Sequence, residues 1–337
     1  MRMRFILVFL MWSSFSTAVG AEERRVLRIA TVSPTGTTWA RLVESMGNDI
    51  ERMTNGKVHI KWYFGGIAGD EMEAARRMQA GQLDGLLSGG PYCESAMPTM
   101  RVLSIPALFQ DRDEAAYVMH LLRPDLNQEA ERSGYALMGT TGLGPALVFS
   151  RMPIRNMSEL RKTRLWAWDL FGGEIAAERK MGLSIEPAAV ERASRAYDDN
   201  KVDGFISIPA AALAFQWSAR ARYIVGLRIR YLTACVLISH ASLDRLPIEH
   251  QNAIRASFAK GDARMEDLGR QQDDELLGGL FARQGLQPVP VSETFRSQFF
   301  EAARKARQAL GERLVPPDLL ARIEHLLADY RAEHASH

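Results

Sequence analysis

The sequence predicts an α/β protein with two lobes. Short β-like runs alternate with helical runs along the 337 residues, a pattern typical of a mainly parallel sheet covered by helices. The chain is also longer than the size at which one hydrophobic core usually stops growing, which is about 250–300 residues. No internal repeat or low-complexity linker is evident. We therefore expect the chain to cross between two interleaved lobes rather than to form them in series.

Residues 1–21 have the features of a cleaved secretory signal. Arg2 and Arg4 precede the apolar run 5–12, and the small residues 19–21 come directly before a charged segment. A bilayer-spanning helix needs about 20 apolar residues, so this run is too short to be one; a signal anchor is the alternative. Without these residues Lys+Arg falls from 42 to 40, equal to the 40 Asp+Glu. Such a balance argues against a nucleic-acid partner, which would require a basic surface.

The first predicted elements are two strand–turn–helix units. Strand 27–32 leads through the turn 33–39 into a helix, and strand 58–64 ends at a glycine turn. Asp70 and Glu71 then begin the next helix, where acidic side chains are favoured by the helix dipole. Contact with a ligand is the alternative role for both carboxylates.

The later elements continue the alternation. Apolar periodicity among mostly polar residues predicts a long helix over 258–281, followed by helices over 293–310 and 317–330. Ligands of open α/β sheets bind beyond strand ends. The loops expected there cover residues 88–93, 140–144, 166–173 and 204–209.

Seven short segments occur in an order that is much rarer than any one of them. They are TNGKV at 54–58, GGIAGDE at 65–71, AGQLDG at 80–85, IPALF at 105–109, MPI at 152–154, NKVDG at 200–204 and LP at 246–247. Together they closely resemble the extracytoplasmic solute receptors of tripartite ATP-independent periplasmic (TRAP) transporters, the dicarboxylate-binding DctP type. The resemblance covers nearly the whole chain after residue 25.

The resemblance implies a two-lobed periplasmic solute-binding protein fold, with chain crossings between the lobes and a long bracing helix. Lobe one would comprise 26–145 and 234–275, and lobe two would comprise 146–233 and 276–331. Such a receptor lies in the periplasm, closes around a small organic ligand and presents it to TRAP transporter membrane subunits. A periplasmic sensor subunit needs the same closing receptor and is an alternative role.

An enzyme is not expected. The sequence has no G-x-S-x-G motif, no P-loop and no cysteine with a nearby histidine signature. It also has no His, Cys and Asp cluster with metal-ligand spacing, so we predict neither a metal nor a cofactor.

Trp166 marks a departure from the family pattern. Receptors of this type bind an organic acid through an arginine at the end of a second-lobe strand written D-L-K-G-x-K-x-R, whereas this chain has E-L-R-K-T-R-L-W at 159–166. Arg164 shares the face of Trp166 but lies about 6.5 Å away along a strand. The substitution predicts a ligand that is more apolar or less acidic than a C4 dicarboxylate.

Further residues, among them Phe171, extend the predicted second-lobe wall. Trp168 and Asp169 follow Trp166, and Phe205 and Ser207 follow the V-D-G segment, where the family pattern has polar residues. Aromatic rings offer stacking area, and the tryptophan N–H offers a hydrogen bond. The alternative is that Trp166 and Phe205 pack in a lobe core while another arginine or a backbone nest binds a carboxylate.

The first lobe contributes candidates from loops at strand ends. They are Trp39, Gly90, Tyr92 and Gly142, together with Asp70 and Glu71. Trp39 could equally be a core residue, since tryptophan is highly buried on average.

Cys93 and Cys235 could form a disulfide in an oxidising compartment. They are far apart in the sequence, however, and their spacing does not indicate a pair. We therefore expect two independent thiols, with one disulfide as the alternative.

Overall fold

The computed structural model describes residues 24–334. The predicted signal sequence, residues 1–21, lies outside the described residues. Within residues 24–334, no helix combines the length and the hydropathy needed to cross a membrane.

Nine strands of the described chain form one sheet in the order β2-β1-β3-β8-β4-β7-β5-β6, and β9 pairs with β8. The pairs within the groups β2-β1-β3 and β7-β5-β6 are parallel, whereas β8 and β4 are antiparallel to their neighbours in this order. The strands are β1 Arg25–Ala30, β2 Val58–Tyr63, β3 Gly85–Ser88, β4 Tyr135–Ser150, β5 Arg164–Trp168, β6 Ser184–Ala188, β7 Gly204–Ser207, β8 Tyr223–Ser239 and β9 Gln287–Val289.

Helices cover the sheet, as the alternating pattern predicts. They are α1 Thr38–Met53, α2 Glu71–Gln79, α3 Pro91–Ala96, α4 Arg112–Arg132, α5 Met157–Lys162, α6 Gly172–Lys180, α7 Ala193–Asp198, α8 Pro209–Ala214, α9 His240–Leu243, α10 Ile248–Glu275, α11 Phe281–Arg283, α12 Glu293–Leu310 and α13 Pro317–His334. Short 3-10 helices cover Pro98–Ser104, Val190–Arg192 and Gly311–Arg313.

The predicted long helix is confirmed and begins earlier than expected. It extends through α10 and a π-helical segment, Leu276–Leu280, into α11. Gly279, with φ of 148°, interrupts the helical backbone near its end. A residue with a side chain would be strained in this conformation, so glycine makes the break possible.

Two long strands carry the predicted chain crossings. β4 has 16 residues and β8 has 17, and they pair with each other between the two parallel groups. Their register shifts at three places: between Leu137 and Gly139, between Gly142 and Gly144, and between Ala146 and Val148. Such irregularities bend a strand locally. The crossing from one half of the sheet to the other is therefore continuous backbone rather than a flexible linker.

The carboxy-terminal helices pack on different halves of the sheet. Phe295 and Phe299 of α12 lie in the core cluster around β5, whereas Ile323 and Leu327 of α13 lie in the cluster around α4. Arg331 also forms an ion pair with the buried Glu114 of α4, with 2.6 Å between Nε and Oε1. The two helices thus pack in different core clusters, although the resemblance implies that both belong to lobe two.

Cys93 and Cys235 form a disulfide, with 5.9 Å between their Cα atoms. The expectation of two independent thiols is therefore wrong for this structure. Ser88 of β3 pairs with Cys235 of β8, and Cys93 follows five residues later in α3. The sheet register brings together two cysteines that lie 142 residues apart in the sequence.

Candidate functional site

A cavity of about 430 Å³ lies between the two halves of the sheet, a volume typical of small-molecule sites. The β1–α1 loop lines one side, while β5 and the segment that follows β7 line the other. Residues of β4 and β8 lie between these sides, and Met265 and Gln272 contribute from the long helix. Both halves of the molecule and both crossing strands therefore meet at one cavity.

Strand β8 presents one of its faces to the cavity. Arg230, Leu232, Ala234 and Val236 all line it, as expected because alternate residues of a strand point to the same side. Most of the remaining lining is apolar or aromatic. It includes Val43, Met46, Phe64, Leu87, Leu143, Phe171, Val190, Ile206, Ile208, Leu213, Phe215 and Trp217.

Trp166 lines the cavity but is mostly enclosed by protein, with 2% of the residue exposed. Its ring centroid lies 4.7 Å from that of Trp217 and 6.3 Å from that of Phe205. Its indole N–H donates a 3.0 Å hydrogen bond to the carbonyl oxygen of Ala188. This N–H is thus already used, contrary to the expectation that it would be available to a ligand.

The structure brings four of the predicted site residues to the cavity: Trp39, Trp166, Trp168 and Ser207. Phe205 instead lies behind the wall with no exposed surface, and its ring stacks on that of Trp217 with 5.6 Å between centroids. Phe205 is a core residue because the rings of Trp166, Tyr197 and Trp217 cover its side chain.

The other predicted site residues do not line the cavity, and two of them are backbone positions. Gly90 has φ of 128°, and a side chain there would come within 3.0 Å of the Phe171 ring. The carbonyl oxygen of Gly142 accepts a 3.2 Å hydrogen bond from Nη1 of Arg112.

The remaining predicted residues have local roles. Asp70 caps α2 by accepting a hydrogen bond from the backbone N–H of Glu73, and Tyr92 donates from its hydroxyl to that of Tyr135 at 2.8 Å. Asp169 lies directly after β5, where partial desolvation of its carboxyl group raises its pKa above the ordinary value.

Glu71 is fully buried outside the cavity lining. Its carboxylate accepts hydrogen bonds from the Ser88 hydroxyl and from the backbone N–H of Gly89, the latter at 2.6 Å. Burial raises the pKa of Glu71 to about 7, although these hydrogen bonds oppose the rise. The carboxyl group therefore fixes the loop that follows β3, and Gly89 in that loop does line the cavity.

Two charged side chains line the cavity, and each is paired. Arg230 forms an ion pair with the buried Glu178, and its guanidinium carbon lies 5.0 Å from the Phe171 ring centroid. Asp262 is paired with Arg123, with 2.7 Å between Oδ2 and Nη2. Burial raises the pKa of Asp262 to about 6, against the effect of Arg123. The lining thus carries no uncompensated charge from the described residues.

Neither Arg230 nor Asp262 is among the site residues predicted from the sequence. Arg230 interrupts an apolar run, which is an available signal, because a charge within a central strand must be paired when it is buried. The Asp262 carboxylate lies so close to Gly139 that a side chain at position 139 would collide with the carboxylate. Nothing near Asp262 in the sequence indicates that proximity.

Comparisons with known proteins agree on one family. The model of "Bacterial extracellular solute-binding protein, family 7" (DctP) matches residues 29–313. A solute-binding protein of Verminephrobacter eiseniae is 22% identical over 284 residues, which cover 77% of this chain and 82% of that protein.

Solved structures show the same fold. A TRAP periplasmic solute-binding protein of Xanthobacter autotrophicus with bound β-D-galacturonate has a TM-score of 0.79 at 18% identity, covering 89% of this chain and 99% of the other. DctP7 of Bordetella pertussis, which binds pyroglutamic acid, has a TM-score of 0.80 at 17% identity, with the same coverage. A TRAP periplasmic solute-binding protein of Desulfovibrio desulfuricans with sn-glycerol-3-phosphate has a TM-score of 0.82 at 17% identity, covering 91% and 97%.

Proposed function

The chain belongs to family 7 of the bacterial extracellular solute-binding proteins, the DctP family of TRAP receptors, and on this premise we propose that it captures one small organic ligand in the periplasm for TRAP transporter membrane subunits. Proteins of this family bind a solute rather than transform it, so the cavity is a binding site and not a catalytic one.

The proposed lobes meet at this cavity. We propose that lobe one comprises 26–145 and 234–275 and that lobe two comprises 146–233 and 276–331, although α13 packs on α4 of lobe one. The support for this division is that the cavity lining comes from both groups of parallel strands. A ligand contacted from both sides stabilises the closed arrangement by its differential affinity for it.

The ligand that we propose is more apolar or less acidic than a C4 dicarboxylate. The observation that carries this proposal is that both charged lining residues, Arg230 and Asp262, already have partners of opposite charge. A dicarboxylate would lose its hydration without gaining an unpaired cation, and burying an uncompensated charge is costly. Trp166 stands where the family pattern has its carboxylate-binding arginine.

An organic-acid receptor with a different anion site is the second candidate. Arg230 lines the cavity, and burial raises the pKa of its partner Glu178 to about 7. A protonated Glu178 would leave the guanidinium charge available to a ligand carboxylate. This candidate predicts tighter binding of acids as the pH falls below about 7.

The experiment is to identify by mass spectrometry the ligand that co-purifies with native protein, and to titrate succinate and malate by calorimetry. We expect the recovered ligand to compact the protein in small-angle scattering and the two diacids to bind weakly or not at all. Micromolar succinate or malate binding would contradict the proposed ligand chemistry, and a bound ligand without compaction would contradict the closing mechanism.

A further inference from the structure

Three buried polar atoms in the cavity wall have no hydrogen-bond partner among the described residues. They are Oγ1 of Thr141, Oε1 of Gln272 and Nε of Arg230. Folded proteins leave few buried polar atoms unpaired, and each exception requires a physical reason. The three residues that carry these atoms line one cavity, so an occupant of that cavity would be a reason common to all three.

Their positions surround the part of the cavity at the crossing strands. Thr141 of β4 pairs with Ala234 of β8, which also lines the cavity. Arg230 lies four residues before Ala234 on the same face of β8, while Gln272 contributes from the long helix α10. Three separate elements thus each contribute one residue with an unpaired polar atom to the wall of one mainly apolar cavity.

Several other polar lining residues already have hydrogen-bond partners. The hydroxyl of Thr37 donates to the carbonyl oxygen of Pro34 and accepts from the N–H of Ala40, and Ser207 donates to the carbonyl oxygen of Ile208 at 3.1 Å. Asp262 accepts from Arg123. The unpaired atoms are therefore not a general property of this wall.

The chemistry of the three atoms defines a ligand class. The amide oxygen of Gln272 accepts a hydrogen bond, Nε of Arg230 donates one, and a threonine hydroxyl can do either. When Glu178 is ionised it compensates the charge of Arg230, so the Arg230 Nε–H is then offered without a net charge. The complementary ligand group is uncharged and contains both a donor and an acceptor.

We propose that Thr141, Gln272 and Arg230 form a neutral polar subsite that recognises an amide or hydroxyl group on an otherwise apolar ligand. This inference rests on the proposed binding function and specifies which part of the ligand is polar. It assigns specificity to side chains of the crossing strands and the long helix rather than to the β5 position that Trp166 occupies.

The first test uses the stability of protein freed of ligand by dialysis. Thr141→Val should keep or raise the melting temperature, because it removes a hydroxyl that has no partner. Thr54→Val is the matched control, since the Thr54 hydroxyl is buried and donates to the carbonyl oxygen of Ile50 at 2.8 Å; it should lower the melting temperature. A fall in melting temperature for Thr141→Val as large as that for Thr54→Val would overturn the proposal.

The second test compares two probes of the same shape, phenylacetamide and phenylacetate, by calorimetry and by tryptophan fluorescence. We expect wild type to bind the amide more tightly by about tenfold, the order of one hydrogen bond. Thr141→Val and Gln272→Leu should reduce that preference. Equal or tighter binding of the acid, an unchanged preference in both variants, or binding of neither probe would overturn the subsite. A retained amide preference without compaction in scattering would contradict the closing mechanism alone.

Discussion

Arg230 and Glu178 form an ion pair in which 2% and 0% of the respective side chains are exposed. Removing one partner of a buried pair typically costs about 3–5 kcal/mol, because the other partner stays buried without compensation. Glu94 and Glu174 lie close enough to interact with this pair. The positive charge of Arg230 thus interacts with more than one buried carboxyl group.

Arg230→Met should therefore lower the free energy of unfolding, and the loss should increase with pH. The positive charge of Arg230 opposes the rise of the Glu178 pKa to about 7, so its removal raises that pKa further. A raised glutamate pKa contributes stability at low pH that is lost as the pH rises through the folded-state value. Chemical denaturation at about pH 5 and pH 8 measures the difference, with Arg304→Met of the exposed Arg304–Glu301 pair as control. An equal loss at both pH values would contradict the prediction.

Glu71→Gln should flatten the pH dependence of stability. The pKa of Glu71 rises from the ordinary 4.5 to about 7 because the group is buried, so wild type loses stability between these pH values. The amide does not titrate. Between these two pH values the free energy of unfolding of the variant should therefore rise relative to that of wild type by on the order of 3 kcal/mol. Unfolding curves across the interval provide the measurement, and the exposed Glu44→Gln should track wild type.

The Cys93–Cys235 disulfide should contribute about 2–4 kcal/mol, since it closes a long loop of the unfolded chain. Protein exported to an oxidising compartment, denatured without reductant and treated with a thiol reagent should show no free thiol. Melting curves before and after reduction measure the contribution. Two reactive thiols in the unreduced sample would show that the bond does not form.

Trp166→Ala should cost about 3–5 kcal/mol of stability, in the range of large-to-small core substitutions. The Trp166 ring packs against Phe205 and Trp217. The substitution also removes the indole N–H that donates a hydrogen bond to the carbonyl oxygen of Ala188. Trp168→Ala is the control, because Trp168 lines the same cavity but is less buried. A small loss of stability together with a large loss of affinity for the co-purified ligand would instead show that Trp166 is chiefly a ligand contact.

Local sequence patterns predicted the alternating strands and helices of this fold well. The strand, glycine turn and helix expected from residue 58 onward are β2 and α2, and β3 follows. Each of these elements depends on periodicity and capping within a few residues, which a sequence shows directly. Apolar periodicity predicts that the long helix begins at residue 258, ten residues after the first residue of α10. The start signal that periodicity does not include is Pro247, which precedes the first turn.

Features that depend on distant residues could not be predicted in the same way. Cys93 and Cys235 are joined by strand register, and Arg230 meets Glu178 across 52 positions of the chain. The wall position of Trp166 was predictable from a family pattern, whereas the core position of Phe205 depends on rings from other elements. The candidate site was therefore only partly predictable, since its polar atoms come together through tertiary structure.

The pairing of β4 with β8 has a consequence for how the chain folds. Each strand contributes residues to both halves of the sheet. The paired residues lie between 73 positions apart, at Ser150 and Tyr223, and 104 positions apart, at Tyr135 and Ser239. Non-local pairing of this kind slows folding, because the entropy of loop closure is lost before the contacts form. Neither half contains all of its own strands as one uninterrupted segment. The two halves should therefore become ordered together, and a fragment ending before β8 would lack the central strand that each half requires.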